Sequence, residues 1–195
     1  TVDARGLHPA IMALSEIMRI LAVAVTLAAS LTSVGPLGGL TDLAVKRIEV
    51  ADLVAAAKFG TSQPIDDPAR EQQVLDTVRA KAAALGLNPE NAARFFRAQI
   101  EANKLVQRGL YARWTEHPEE VPQHKPDLGT EVRPILDRLT TDILAELKDT
   151  EQLRRPTLKC EIHATIAERS AVVLHHLDRL HENALAGAMS TVCSK

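Results

Sequence analysis

The stretch RIEVADLVAAAKFGTSQPIDDPAREQQ, residues 47–73, decides how the chain is read. With a period of 3.6, residues 40–59 form a helix on which Arg47, Ala51, Val54 and Lys58 fall at i, i+4, i+7 and i+11, so two cations share one face. They stand about 16 Å apart along the axis at roughly 1.5 Å per residue. Long side chains reaching inward from both ends shorten that gap to the length of a small dianion. Gly60, Thr61, Ser62 and Pro64 end the helix. Asp67-Pro68 starts another, with an acid at the N-cap and proline at the first helical position. Arg70 and Glu71 then lie in its first turn, beside free backbone N–H groups that favour an anion.

Composition agrees with helices. Aromatic residues make up 3% of the 195, alanine and leucine abound, and the length suits one domain with a self-sufficient core. A formal net charge of −2 and few stacking rings give no footprint for nucleic acid, so none is expected as a partner. Residues 18–35, MRILAVAVTLAASLTSVG, begin with a basic Arg19, run apolar over 20–31 and end in small residues, the pattern of a secretory signal peptide. That run is short for a membrane span and lacks a stop-transfer flank, so no stable membrane anchor is expected. Residues 1–17 carry no fold signal and read as an over-extended N-terminus ahead of Met18. The folded domain is expected over 36–195, secreted or periplasmic.

Working outward, residues 68–85 place Val74, Leu75, Val78, Ala82 and Leu85 at helical spacing, closed by Gly86. Asn88-Pro89 caps a helix to Trp114 in which Phe95, Phe96, Ile100, Leu105, Val106 and Leu110 supply the core. On the same helix Gln99, Asn103 and Gln107 recur every fourth residue. Residues 115–130 are rich in breakers and predict a loop; a helix over 131–153 follows, with Arg133 at its start and Pro134 in its first turn, where N–H groups lack partners anyway. From 157 to 193 no breaker intervenes before Gly187, which alone suggests one long helix. Such a helix holds Cys160 and Cys193 about 50 Å apart, whereas a disulfide needs Cα atoms within about 7 Å. A bond between them, favoured by export, requires a helical hairpin, with its bend expected between Glu168 and His176. The expected fold is all-α: a single-domain bundle of about six helices with a C-terminal disulfide-linked hairpin.

The sequence contains no Gly-rich phosphate loop, nucleophile elbow, metalloprotease His pair or dinucleotide fingerprint. His175, Asp178 and Glu182 share a helix face but read as a solvated polar surface, so no metal is expected. His163 and His181 read as surface or satisfied polar residues. What remains is Arg47, Lys58, Arg70 and Arg133 with the Asn103/Gln107 amides. Singly, each cation reads as a long side chain lying over apolar surface with its head in water. Their joint spacing points to an anion site.

Arg47, Lys58 eleven residues on, Asp67 nine further, Arg70 followed by Glu71, and Asn103 and Gln107 four apart resemble the all-helical chorismate mutases. The signal segment, the length, Arg133 within DLGTEVRPILDRL and the cysteine pair resemble their secreted γ-type branch, over residues 40–193. Mycobacterial members of that branch carry Thr and Glu where Asn103 and Gln107 stand. The resemblance implies an isomerase that rearranges chorismate to prephenate in aromatic amino acid biosynthesis, without cofactor, as a homodimer with each active site inside one chain. It implies Lys58 and Gln107 as donors to the substrate's ether oxygen, and Arg47, Arg70 and Arg133 as carboxylate binders. Glu71 and the backbone near Asp67 then receive the ring hydroxyl, and Asn103 supports a carboxylate. The competing expectation is an exported, non-catalytic helical module that binds a small dicarboxylate or a partner protein.

Overall fold

The computed structural model describes residues 35–193; the segments 1–17 and 18–35 lie, but for Gly35, outside the described residues. Six helices follow: α1 Gly38–Lys58, α2 Pro68–Ala84, α3 Pro89–Glu116, α4 Arg133–Asp149, α5 Leu158–Leu174 and α6 Arg179–Met189. A 3-10 turn, Pro118–Glu120, and a π turn, Leu128–Val132, lie between α3 and α4. Among the described residues there is no strand, and the all-α bundle with its disulfide-linked hairpin is the fold. No described helix is long and apolar enough to cross a membrane.

The centre of the bundle is α1, which packs against α3, α4, α5 and α6. It buries Leu40, Thr41, Val45, Arg47, Ile48, Val50 and Ala56 around most of its circumference, as a helix enclosed on most sides must. Phe96, Ile143, Leu144, Leu147, Leu185 and Met189 fill the core from the surrounding helices. A smaller cluster of Val50, Val54, Val132 and Leu139 joins α1 to α4. Helix α6 crosses α3 at Gly109, where an added Cβ would stand 2.6 Å from both terminal carbons of Leu180. A side chain at Gly109 would require Leu180 to shift.

The helix ends follow local chemistry. Asp67 Oδ1 accepts the Arg70 N–H at 3.0 Å, and Asn88 Oδ1 accepts those of Glu90 and Asn91 at 3.0 Å each. Gly86, at φ +68°, closes α2: its N–H reaches the Ala83 carbonyl at 3.0 Å while the Leu87 N–H reaches Ala82 at 2.9 Å.

Several expectations are corrected. The helix expected over 131–153 is shorter, Arg133–Asp149. Its start is displaced by the π turn, which Asp127 holds by accepting the N–H groups of Gly129 at 2.8 Å and Thr130 at 2.7 Å. After its end Arg154 folds back and donates to the Leu147 carbonyl at 2.7 Å. Helix α3 runs two residues past Trp114, into the expected loop. Leu105, expected in the core, is 41% exposed, and Leu85, placed at helical spacing, is 43% exposed.

Cys160 and Cys193 are bonded, with Cα atoms 5.9 Å apart. The hairpin bend lies at residues 175–178, at and beyond the end of the expected interval. His176 turns it at φ +51°, with the Leu177 N–H on the Val172 carbonyl at 3.1 Å. Two histidines pin the hairpin to α1. His175 Nε2 lies 3.1 Å from Asp42 Oδ1, and His181 bridges Asp52 at 3.0 Å and Asp178 at 2.7 Å. His175 and Asp178 are thus engaged with separate partners. His163 is half-buried, and its Nδ1 is buried without a hydrogen-bond partner among the described residues.

Candidate active site

Residues far apart in the chain line one cavity of about 750 Å³. Arg47 and Lys58 come from α1, Asp67 from the loop before α2, Arg70 and Glu71 from α2, Asn103 and Gln107 from α3, and Arg133 from the first position of α4. All eight residues singled out in the sequence therefore meet there. Among the described residues lining the cavity, six cations (Arg47, Lys58, Arg70, Lys81, Lys104, Arg133) face three carboxylates (Asp67, Glu71, Asp137). No Ser, Cys or His is among the described lining residues.

Arg47 is 6% exposed, its guanidinium carbon 5.5 Å from the centre of the Phe96 ring. Its Nε and Nη1 have no hydrogen-bond partner among the described residues. Burial pushes the guanidinium down to about 10, with Asp137 acting in the opposite sense, so it is still a cation at neutral pH. A buried cation with free donors is unfavourable until an anion meets it. Lys58, half-buried at the end of α1, donates to the Pro64 carbonyl at 2.8 Å. Burial lowers its pKa, with Asp67, Asp66 and Glu71 opposing. Arg70 and Arg133 are exposed. Arg70 Nη1 donates to Gln73 Oε1 at 3.3 Å.

Gln107, 3% exposed, donates through Nε2 to Asn103 Oδ1 at 2.7 Å, while its own Oε1 is buried without a partner. An amide nitrogen carries two hydrogens, so one donor of Gln107 is left for a ligand. Gln99, the third member of the amide series, donates to the Ala188 carbonyl on α6 at 3.0 Å and does not line the cavity. Glu71 is ion-paired with Arg97 and, at 3.2 Å, with Lys104.

Lys104 escaped the sequence reading, although it lines the cavity and is 9% exposed. A signal was present: Arg97, Glu101, Lys104 and Arg108 recur at i, i+4, i+7 and i+11, the spacing that marked α1. Read alone, it is an ordinary charged stripe.

The geometry defines a class: a helical, cation-rich pocket in which the Asn103 and Gln107 amides join the cations, suited to grip a small dicarboxylate and lacking, among its described lining residues, the Ser, Cys or His of nucleophilic hydrolases. The chorismate mutase type II family matches residues 39–108, which span α1, α2 and most of α3. The secreted chorismate mutase of Mycobacterium tuberculosis is 30% identical over 187 residues, covering 89% of this chain and 92% of the relative. The crystal structure of chorismate mutase from Burkholderia phymatum has a TM-score of 0.77 at 33% identity, covering 82% of this chain and 96% of that one. That from Burkholderia thailandensis has a TM-score of 0.76 at 36% identity, covering 80% and 98%. The chain belongs to the chorismate mutase type II family.

Proposed function

We propose that the protein rearranges chorismate to prephenate, and that the eight residues assigned from the sequence do the work. In this reaction an ether C–O bond breaks as a C–C bond forms within one molecule. No proton moves and no covalent intermediate arises, so neither base, nucleophile, metal nor cofactor is required. The enzyme's tasks are to hold the folded, chair-like conformer and to stabilise negative charge growing on the ether oxygen.

Arg47, Arg70 and Arg133 hold the two carboxylates, their planar donors fixing orientation as well as supplying charge. Asn103 supports a carboxylate. Lys58 and Gln107 donate to the ether oxygen, and Glu71 with the backbone near Asp67 receives the ring hydroxyl. At about 1.5–3 kcal/mol per hydrogen bond to a charged group, two bonds that strengthen in the transition state contribute several kcal/mol. Conformational restriction of the substrate supplies much of the remainder.

The observation that carries this reading is Arg47, a buried cation with two unpartnered donors in a cavity that also presents Lys58 and the Gln107 amide. The same reading makes the protein a γ-type mutase of aromatic amino acid biosynthesis. It is exported by the 18–35 signal, has its domain over 36–195, and acts in the secreted or periplasmic space as a homodimer with one complete site per chain. The secreted relative supports export.

The test is to follow chorismate loss and prephenate formation with the purified, oxidised protein. Turnover is expected, and Lys58→Ala should lower kcat by about 10²–10³-fold with the fold intact, as loss of a charge-stabilising donor does elsewhere. A folded protein that leaves chorismate unchanged would establish the binding module instead.

A further inference from the structure

Glu71 is gripped from two sides. Arg97 Nη1 pairs with Oε2, and Lys104 Nζ lies 3.2 Å from Oε1. Lys104 Nζ also meets Glu101 Oε1 at 2.8 Å and Asp66 Oδ1 at 3.2 Å, and its side chain is 11% exposed. Its three hydrogens are thus matched to three carboxylates. Asp66 in turn takes Arg108 Nη2 on both oxygens at 2.8 Å. Three cations and three carboxylates close a charge-balanced cluster that spans α3, α2 and the loop before α2. Burial works against the Lys104 charge, but the hydrogen bonds to Glu101, Glu71 and Asp66 outweigh it and hold the ammonium above the usual lysine range.

Lys104 therefore differs from the other cations of the cavity. Arg47 keeps two free donors and Lys58 donates to the Pro64 carbonyl, a neutral group that a ligand can displace. Lys104 has no donor left for a substrate, although it lines the same wall. Its charge is also cancelled locally, so the cavity's excess positive potential comes from the remaining cations.

We propose that Lys104 is a positioning residue, with Arg97 as its second arm, that fixes the Glu71 carboxylate to accept the substrate's ring hydroxyl. The inference rests on the chorismate reading and extends it to two residues outside the assigned site. Each carboxylate oxygen has two acceptor directions, and each Glu71 oxygen gives one to a cation, leaving the other for the hydroxyl. A carboxylate already held loses little freedom when the substrate arrives, whereas a swinging one must be ordered at the expense of affinity and alignment. By anchoring Asp66, Lys104 also tethers the loop whose Pro64 carbonyl contacts Lys58.

The test is a double-mutant cycle on Lys104→Met and Glu71→Ala. The readout is kcat/KM for chorismate and for an analogue whose ring hydroxyl is replaced by hydrogen. Lys104→Met should lower kcat/KM for chorismate by roughly 10–50-fold, but by less than about 3-fold in the Glu71→Ala background or with the analogue. Equal losses in both backgrounds, or on both substrates, would overturn the proposal, because Lys104 would then act on the fold or the field and not through Glu71. If Lys104→Met fails to fold, Arg97→Met carries the same comparison from a side chain that is 41% exposed. Its loss, about 3–10-fold, should vanish in the Glu71→Ala background. Failure of the wild-type protein to turn over chorismate would sink the functional reading, whereas turnover with an additive cycle would sink only the positioning role.

Discussion

Replacing Arg47 with methionine should stabilise the free protein while removing its grip on a dicarboxylate. Burial pulls the Arg47 guanidinium well below the usual arginine range, to about 10. At 1.36 kcal/mol per unit, carrying that charge in the folded state costs about 3 kcal/mol at neutral pH. Sign matters here: a cation with a depressed folded pKa penalises folding at every pH below that pKa, so neutral solution bears the whole penalty. Methionine removes the charge and keeps a flexible apolar stem beside Phe96, at the loss of a cation–ring contact of about 1 kcal/mol. The net expectation is a gain of about 1–2 kcal/mol, of the kind seen when buried charges yield to apolar residues. Urea unfolding without ligand reads this as a midpoint raised by about 0.5–1 M at unchanged slope. Prephenate at a hundredfold excess over its Kd should add about 2.7 kcal/mol to the wild type, and at that concentration nothing to the variant. A variant that unfolds at lower urea than the wild type would refute the reasoning, since the guanidinium would then already be satisfied in the free protein.

Three further outcomes follow from other parts of the molecule. Gln107 donates at any pH, so wild-type kcat/KM should be flat through the mildly acidic and neutral range and fall only on the alkaline side as Lys58, whose pKa burial lowers, loses its proton. Gln107→Glu should instead fall about tenfold per pH unit above the carboxyl pKa, and a pH–rate profile like that of the wild type would contradict the assignment. Cys160 and Cys193 are separated by 33 residues, so reducing their bond should lower unfolding free energy by about 3.7 kcal/mol in the chain-entropy model, measured by denaturation with and without a thiol reductant. His181 is raised to about 9 by its hydrogen bond to Asp52, against the effect of burial, and by that to Asp178. Its contribution is complete below about 6.5 and disappears as pH rises through 9, so stability should drop by about 1–2 kcal/mol over that window after solvent screening. His181→Gln should flatten the drop.

The parts of the fold legible in the sequence are those encoded by single residues acting locally. Asp67 and Asn88 announced two helix starts because each caps with a side-chain oxygen and is followed by proline. Gly86 announced a helix end because its positive φ suits glycine. The hairpin bend was bracketed only loosely, at the end of the expected interval, for the converse reason: the same left-handed position is filled by His176, which carries no breaker signal. The start of α4 depends on Asp127 folding the preceding turn, which periodicity does not report. Leu85 and Leu105 satisfy helical spacing yet face outward, since the face a helix buries is chosen by its neighbours. In the site, Arg47 and Lys58 were visible because an apolar stripe between two cations is unusual. Lys104 was hidden because its partners Glu71 and Asp66 come from other segments, and a charged stripe on one helix says nothing of what it will meet.

A catalytic pocket favours the rearranging substrate over any ground-state dicarboxylate, and competition binding measures that preference. A bicyclic ether dicarboxylate, locked in the chair-like shape of the reacting molecule, is compared with prephenate on the wild-type protein and on Lys58→Ala. The locked ether should bind the wild type at least about 100-fold more tightly than prephenate, and Lys58→Ala should lose most of that preference while still binding both. Equal affinities on the wild type would contradict the catalytic reading, leaving a site that binds dicarboxylates without catalysing their rearrangement.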